Sequence, residues 1–475
     1  IREDFPRNLP AKARVLIIYI NPLFYSLTKM ESEPSSIRPP LKLKPYQEPH
    51  VLSILKILQT NPVAVDVSRT GAGKTFTTAV IACILKLPMI IVTSPTCFKV
   101  WKDIQNEYGV PIIDMVSYDI LRGQEGKGCN NPYLERIKNN FMATKYLKDL
   151  LRSGVLFVFD EMSKLKTLKS GTKISAHAIV KTLIDLKASS RIMLLSAVPC
   201  DKAEHVFSLM QMLGIIYNDK IYTYTTKNKY QLEGLQEAID WCYSKDYDKT
   251  HELMTQYTEV NTKIMPDMAI KLYKDVIRSR LSSCMNLDQE FKMSVKNGYY
   301  RMNEQDLELL QLGQRTLQNA VQYRGEQASQ KPTNWGEVTK ALQILGMSKL
   351  RTLVSLAYCD LMENSKRKVV IGAWYVDQLR WLTKVFEPFG AKLLYGQTKS
   401  NERNDIINLF QTNTNECRVI IINPTVGGMA ISLDDNDGNW PRSMYVVPDF
   451  KFLETVQLTG RVLRQSTKSP EQTKI

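Results

Sequence analysis

The sequence predicts an α/β protein with two parallel-sheet domains and a mostly helical segment between them. Short, continuously apolar runs alternate with helix-like segments in an N-terminal and a C-terminal stretch, as in strands buried on both faces of a parallel sheet. A glycine-rich loop joins one of these runs to a helix in the first stretch. The length of 475 residues exceeds what one hydrophobic core usually holds.

Residues 1–40 contain proline and mixed charge, with one strand candidate at Val15 to Ile20, and we interpret them as an extension. Lys44-Pro45-Tyr46-Gln47 then precedes a helix-like pattern. The Gln47 amide both donates and accepts hydrogen bonds, so it can read an adenine edge. A surface glutamine that opens a helix is the alternative.

The glycine loop runs from Ser68 to Thr75, between an apolar strand and an apolar helix. Glycines let such a loop turn tightly, so that its amides face a phosphate. In a phosphate-binding loop Lys74 contacts the β- and γ-phosphates of ATP, and Thr75 places a hydroxyl on Mg²⁺. An incidental glycine turn is the alternative, since Ser68 replaces the usual first glycine. The predicted nucleotide-binding residues here are Arg69, Thr70, Gly71, Ala72, Gly73, Lys74 and Thr75.

A second chemical signal follows the apolar run Gly154 to Phe159, which ends in Asp160-Glu161. Carboxylates at the end of a buried strand are costly without a cation, and Mg²⁺ supplies one. Asp160 is predicted to hold the metal and Glu161 to position the attacking water. An acidic helix cap is the alternative. Further strands are predicted at Met89–Val92, Ile112–Val116 and Arg191–Leu195.

From about 215 to 345 the pattern becomes mostly helical, with a candidate strand pair at Phe291 to Tyr300. A second α/β pattern begins near Ser348, and two arginines, Arg461 and Arg464, lie on one helical face near its end. Its predicted elements are strands at Lys368–Ile371, Lys392–Tyr395, Val419–Ile422 and Met444–Val447, and a helix at Val376–Phe386.

Lys and Arg total 63 against 48 Asp and Glu, a formal net charge of +15. Such an excess favours a polyanionic partner, because cations that neutralise phosphates release counterions. A soluble basic surface is the alternative. Eight scattered cysteines without a CxxC pair argue against structural zinc and favour a reducing, intracellular compartment, cytoplasmic or nuclear. The most apolar stretch is too short to span a bilayer, so no membrane association is predicted.

In order and spacing, these segments resemble the motifs of superfamily 2 helicases, and within them the Swi/Snf-type translocases of double-stranded DNA. The Leu165-Lys166 pair of motif II is typical of that branch. The matching segments are Lys44–Gln47 (adenine-reading motif), Ser68–Thr75 (I), Thr93–Trp101 (Ia), Ser117–Arg122, Asp160–Lys166 (II), Ser196–Pro199 (III), Val276–Arg280 with Phe291–Met302 (the join between lobes), Tyr395–Thr398 with Arg403 and Phe410, Thr425–Leu433 (V) and Gln457–Gln465 (VI).

The resemblance implies two RecA-like lobes, at 41–215 and 346–475, joined by a helical insertion at 216–345. It implies ATP and Mg²⁺ as cofactors, with Arg461 and Arg464 reaching the γ-phosphate and with Gly428 and Gln457 at the nucleotide. It also implies a nucleic-acid partner, most readily duplex DNA, with RNA left open. The implied backbone contacts are Thr93, Ser94, Lys99, Thr398, Thr425 and Gly427.

Motif II departs from the family at Met162-Ser163, which replaces Ala/Cys-His, and motif III at Val198, which replaces Thr. Both positions couple ATP state to nucleic-acid grip in the family, so coupling can differ here. The predicted function is an ATP-driven translocase or remodeller of duplex DNA in transcription or DNA processing. A strand-separating helicase and an ATPase subunit of a viral transcription complex, working with RNA polymerase in a viral factory or virion, are the alternatives.

Overall fold

A computed structural model describes residues 41–475 except 125–127, 139, 225–229, 258–260, 287–299, 322–333, 428–430, 448 and 465. The strand candidates at Val15 to Ile20 and at Phe291 to Tyr300 therefore lie outside the described residues, wholly or nearly so. The chain forms two compact units: the first contains the chain up to Asn286 except Thr70–Ala72, and the second contains Thr70–Ala72 and Leu287–Ile475. No helix within the described part of the chain has the length and apolarity needed to cross a bilayer.

The first unit is built on a six-stranded parallel sheet with the strand order β10-β1-β7-β6-β2-β3. Aliphatic and aromatic side chains fill its central strands, so that β1 and β2 are buried along their whole length. The six strands are β1 (Val63–Asp66), β2 (Met89–Thr93), β3 (Ile112–Ser117), β6 (Leu156–Asp160), β7 (Arg191–Leu195) and β10 (Ser282–Ser283).

Helices connect these strands, as parallel neighbours require. The helices of the first unit are α1 (Glu48–Thr60), α2 (Lys74–Leu85), α3 (Phe98–Tyr108), α4 (Tyr118–Arg122), α5 (Lys145–Ser153), α6 (Gly171–Leu186), α7 (His205–Met212), α8 (Glu233–Lys245), α9 (Tyr247–Met254), α10 (Ile264–Leu272) and α11 (Arg278–Leu281). A π-helical turn, Tyr273–Ile277, lies between α10 and α11.

Two small antiparallel hairpins were not predicted. One pairs β4 (Leu134–Ile137) with β5 (Asn140–Ala143), and the other pairs β8 (Thr223–Tyr224) with β9 (Tyr230–Gln231). Strand β10 was also missed, because two serines carry no apolar signal even though they extend the main sheet beside β1.

The second unit contains a four-stranded parallel sheet with the order β12-β13-β11-β14. Its strands are β11 (Lys368–Gly372), β12 (Lys392–Leu394), β13 (Val419–Ile422) and β14 (Arg442–Val446). Its helices are α12 (Glu304–Ala320), α13 (Trp335–Glu363), α14 (Val376–Val385), α15 (Ser400–Gln411), α16 (Pro424–Gly427) and α17 (Phe452–Val462). Residues of β11 and β13 alternate between two buried apolar clusters, one on each face of the sheet.

The predicted α/β class, with two parallel-sheet lobes and mostly helical structure between the sheets, is confirmed. The helices of the 216–345 segment are divided between the two units: α8 to α11 belong to the first unit, and α12 with the first part of α13 belongs to the second. The predicted domain boundaries remain a prediction.

Buried cations support the second sheet. Arg442, at the start of β14, is 1% exposed and donates hydrogen bonds to the carbonyls of Leu433, Trp440 and Asp434 and to the amide oxygen of Gln411. Burial lowers the pKa of Arg442 to about 10, and Asp435 and Asp434 act in the opposite direction. This guanidinium therefore fastens the segment before β14 to helix α15.

We predict that Arg442→Met lowers the free energy of unfolding of the second unit by about 3 kcal/mol or more, because the buried carbonyl and amide oxygens lose their hydrogen-bond donor. Urea denaturation followed by circular dichroism measures this loss. Arg380→Met is the matched control, since Arg380 is exposed on α14. Equal denaturation midpoints for the two variants would contradict the assignment.

Candidate active site

The phosphate loop has the backbone that its glycines allow. Gly71 and Gly73 adopt φ angles of +83° and +94°, a region that side chains with a Cβ atom rarely enter. Gly73 is the N-cap of α2, which begins at Lys74. The loop therefore ends at a helix N-terminus, where free amides and the helix dipole favour an anion.

Lys74 turns its ammonium group back into this loop. Its Nζ donates to the carbonyl oxygens of Ser68, at 2.8 Å, and Arg69, at 3.1 Å. Arg69 itself is exposed, and Thr75 is half-buried in the first turn of α2. The predicted phosphate-binding cation thus lies within the loop that would hold the phosphates.

Gln47 is buried against the same loop and is not a surface residue. It is 4% exposed, and its Oε1 accepts a hydrogen bond of 2.9 Å from the Lys44 amide. A Cβ atom added at Gly73 would lie 2.5 Å from the Gln47 Nε2. Gly73 is therefore required by its positive φ and by the close approach of this side chain.

Asp66 anchors the start of the loop, and sequence reasoning missed it. Its Oδ1 accepts from the Ser68 amide at 2.9 Å, and its Oδ2 lies 3.0 Å from the Nε2 of His50. Burial acts to raise the pKa of Asp66, but hydrogen bonding and charge from His50, with Lys74 and Ser68, lower it overall. The available signal was an aspartate that ends a buried strand directly before a glycine loop.

Asp160 ends β6, and two donors fix its carboxylate. Its Oδ2 accepts from the Thr93 hydroxyl at 3.1 Å and from the Trp101 indole at 3.0 Å. Its carbonyl oxygen accepts from the Tyr118 hydroxyl at 2.8 Å. Burial raises the pKa of Tyr118 well above its usual range, and the charges of Asp160 and Glu161 add to the effect. Tyr118 therefore stays a neutral donor.

Sheet register brings Asp66 and Asp160 to the same edge. Both are register partners of Leu195, one from each side of β7. Neighbouring strands are about 4.8 Å apart, so the two Cα atoms are about 10 Å apart. A single carboxylate suits Mg²⁺, which keeps several waters and binds through one or two carboxylates plus substrate phosphates. Asp160, with the Thr75 hydroxyl, is thus a chemically suitable donor set.

Glu161 has a left-handed backbone, with φ of +56°, although it is not glycine. It occupies the N-cap position of a 3₁₀ turn, Met162–Leu165, without a capping hydrogen bond from its side chain. The acidic-cap alternative therefore has no capping hydrogen bond from this side chain to support it. Such backbone strain is often found at functional sites.

Motif III is connected both to the phosphate loop and to motif II. The Ser196 amide donates to the Asp66 carbonyl at 3.1 Å. Beyond Pro199, Asp201 accepts from Lys166 at 2.7 Å and from His205 at 2.5 Å. Burial opposes ionisation of Asp201, but these two partners lower its pKa overall.

The predicted nucleic-acid residues of the first unit differ in exposure. Thr93 is fully buried and commits its hydroxyl to Asp160, Ser94 is 8% exposed, and Lys99 is exposed on α3. Lys99 is thus the accessible side chain of the three, and the role of all three remains a prediction.

In the second unit, Thr398 is buried and its hydroxyl accepts from the Tyr395 amide at 3.1 Å. Arg403 donates to the Thr398 carbonyl at 2.8 Å, which holds this turn in place. Thr425 is exposed, and its amide donates to the Asn423 side chain. Gly427 ends α16, and Gly428 lies outside the described residues.

Helix α17 carries Gln457 and Arg461, and Arg464 follows it. Arg461 is 6% exposed, and Arg464 donates to the carbonyls of Gly460 and Ile431 at 3.1 and 2.7 Å. Burial and the neighbouring Arg461 lower the pKa of Arg464 to about 10. These arginines do not form a solvent-exposed basic face, which was the alternative.

The second unit matches the family model "Helicase conserved C-terminal domain" over residues 348–466. A protein of Acanthamoeba polyphaga mimivirus, provisionally named an ATP-dependent RNA helicase, is 25% identical over 468 residues. That alignment covers 94% of this chain and 80% of the viral protein. Together with the ordered motifs, these matches support the resemblance to helicase-like ATPases of superfamily 2.

The solved structures that match include two of the Sulfolobus solfataricus SWI2/SNF2 ATPase core. The core in complex with double-stranded DNA is 13% identical, with a TM-score of 0.33, and the alignment covers 91% of this helicase-like chain and 88% of that one. The core domain alone is 15% identical, with a TM-score of 0.32 and coverage of 87% and 81%. The resemblance to the Swi/Snf type rests on the motif residues, including Leu165 and Lys166.

We predict that Thr93→Val raises the Mg²⁺ concentration needed for half-maximal ATP hydrolysis by about 10- to 100-fold, the range for losing a group that orients a metal ligand. Trp101→Phe should act in the same direction. Titration of hydrolysis with Mg²⁺ measures the shift, and Trp381→Phe on α14 is the control. An unchanged Mg²⁺ requirement in both site variants would exclude Asp160 as an oriented ligand.

Proposed function

We propose that this protein is a nucleic-acid-stimulated ATPase that uses hydrolysis to move along, or remodel, duplex DNA. The proposal rests mainly on one edge of the parallel sheet. At this edge the phosphate loop with Lys74 lies on the same side as the oriented carboxylate of Asp160. Parallel α/β sheets bind ligands outside the carboxyl ends of their strands. The helicase family implies ATP, typically with Mg²⁺.

The proposed chemistry assigns one task to each group. The loop amides and Lys74 hold the phosphates, Thr75 and Asp160 hold Mg²⁺, and Glu161 orients the attacking water. Bound Mg²⁺ would neutralise charge on the β- and γ-phosphate oxygens. Gln47, buried beside Gly73, is proposed to read the adenine.

Duplex DNA is the proposed polymer because the net charge of +15 suits phosphate contacts and the motifs resemble those of duplex translocases. The proposed contacts to the backbone are Lys99, Thr425 and Gly427, with Ser94, Thr93 and Thr398 shaping the loops that carry them. Backbone contacts position a protein without reading sequence. Transcription or DNA processing, inside a cell or a viral factory, is the proposed setting.

A strand-separating DNA or RNA helicase is the second candidate, favoured by the name given to the mimivirus relative. Duplex DNA, single strands and duplex RNA should therefore be compared as stimulators of ATP hydrolysis, together with a strand-displacement assay. Stimulation by duplex DNA without displacement supports translocation, whereas RNA stimulation with displacement favours the helicase. Co-purification with RNA polymerase would support an ATPase subunit of a viral transcription complex.

We predict that Glu161→Gln keeps ATP affinity within a few-fold of wild type but abolishes turnover, because the amide preserves shape while losing the base. Lys74→Ala should lower ATP affinity as well, because its cation contacts phosphate. Equilibrium binding of ATP and steady-state hydrolysis on the same preparations measure both effects. Near-normal turnover of Glu161→Gln would remove this residue from the water-positioning role.

We predict that Arg464→Lys retains polymer binding but loses stimulated hydrolysis by about 10³-fold, the scale of arginine-finger effects. Lysine keeps the charge but lacks the planar fork that contacts two oxygens. Arg461→Lys should follow the same pattern. If either arginine binds polymer instead, its variant will lose polymer affinity and salt dependence while basal hydrolysis stays intact.

A further inference from the structure

A cleft of about 270 Å³ lies beside the phosphate loop on the first unit. One wall is Val67, which leads into the loop, and the other is the segment that begins with the π-helical turn. The remaining lining is polar or cationic: Lys274, Arg278, Ser279, Ser282, Ser283 and Cys284. None of the residues that line the cleft is among the nucleotide-binding residues assigned above.

The backbone of this segment is unusual where it supplies the first cation. Lys274 lies within the π-helical turn Tyr273–Ile277, and Arg278 follows as the first residue of α11. Single π-helical turns are rare in proteins, and those that occur are often found at functional sites. Both side chains line the cleft and both residues are exposed.

The pairing of charges singles out these two cations among their neighbours. Lys271 lies 3.6 Å from Asp267, and Arg280 lies 2.9 Å from Asp246. Within the described residues, no carboxylate lies at ion-pair distance from Lys274 or Arg278, and none lines the cleft. Between Lys271 and Arg280 the chain thus carries two cations paired with carboxylates, Lys271 and Arg280, and two cations that line the cleft, Lys274 and Arg278.

Hydroxyl groups complete the lining. Ser282 donates to the Arg278 carbonyl at 2.6 Å, and Ser283 shares a hydrogen bond of 2.9 Å with the Nδ1 of His50. Ser279 is exposed. Arginine, lysine and serine side chains are typical ligands of nucleic-acid phosphates. The chemistry therefore suits a phosphate group.

The cleft is physically joined to the phosphate loop. The Val67 amide donates to the Ser283 carbonyl at 2.9 Å, and the Met285 amide donates to the Ser68 hydroxyl at 2.8 Å. The Ser68 carbonyl in turn accepts from Lys74. A shift of β10 would therefore be transmitted to the residue that precedes the loop and to its lysine.

We propose that this cleft binds a backbone phosphate of the nucleic acid through Lys274 and Arg278, and that β10 couples its occupancy to the phosphate loop. The inference rests on the proposed function, and it adds a polymer contact in a segment to which none had been assigned. It also gives a route, through contacts inside the first unit, by which bound polymer could stimulate ATP hydrolysis.

The test compares Lys274→Ala, Arg278→Ala and the double variant with Lys271→Ala, which removes a paired cation from the preceding helix α10. Binding of labelled duplex DNA, and of single strands as a second probe, is measured across salt concentrations. Each cleft variant should lose about tenfold in affinity at low salt, and its salt slope should fall by about 1. Basal hydrolysis should be unchanged and stimulated hydrolysis reduced.

Ser279→Asp supplies an independent variant, because an exposed position tolerates the change while the new carboxylate repels phosphate. It should weaken polymer binding as much as either alanine variant does. The proposal is overturned if the cleft variants bind polymer like Lys271→Ala. It is also overturned if they lose ATP affinity alone, because the cleft would then hold nucleotide phosphate.

The wild-type protein separates this inference from the proposed function. If wild type binds and is stimulated by polymer while the cleft variants match Lys271→Ala, only the cleft assignment fails. If wild type shows neither binding nor stimulation with any polymer, the proposed function fails and the cleft assignment fails with it.

Discussion

The buried pair of Asp66 and His50 is the interaction on which the phosphate loop depends. A carboxylate at 0% exposure is costly unless it is paired or hydrogen-bonded; the Asp66 Oδ1 accepts from the Ser68 amide, and its Oδ2 lies 3.0 Å from the His50 Nε2. The same histidine reaches Ser283 through its other ring nitrogen. One buried side chain therefore connects the loop, the start of α1 and the edge strand β10.

The structure could be predicted best where residues with a chemical role lie directly beside a clearly apolar or periodic segment. The run before Asp160 is apolar because β6 is buried in the middle of a parallel sheet, so strand, carboxylate and site could be predicted together. Gly71 and Gly73 were predictable for the same reason, since only a loop with positive φ needs glycine at that spacing. The motif order then supplied the class.

Contacts between residues distant in the chain could not be predicted in this way. His50 lies on an apolar helix face, 233 positions from its partner Ser283, and nothing local marks either residue. Strand β10 has only two serines, and its place in the sheet comes from pairing with β1 rather than from its own propensity. Thr93 is a different case. Its motif position suggests a polymer contact, whereas its hydroxyl donates a hydrogen bond to the Asp160 carboxylate.

Motif II lacks the family histidine, and the structure contains a different polar connection between motifs II and III. Lys166, just after the 3₁₀ turn, pairs with Asp201, which lies two residues beyond the motif III proline and also pairs with His205 on α7. The Ser208 hydroxyl of α7 donates to the Leu165 carbonyl at 2.5 Å. Two contacts therefore tie the turn after the Asp160-Glu161 pair to one helix. The Ser196 amide at the start of motif III also donates to the backbone carbonyl of Asp66, so the segment that carries motif III contacts both motif II and the strand that leads into the phosphate loop.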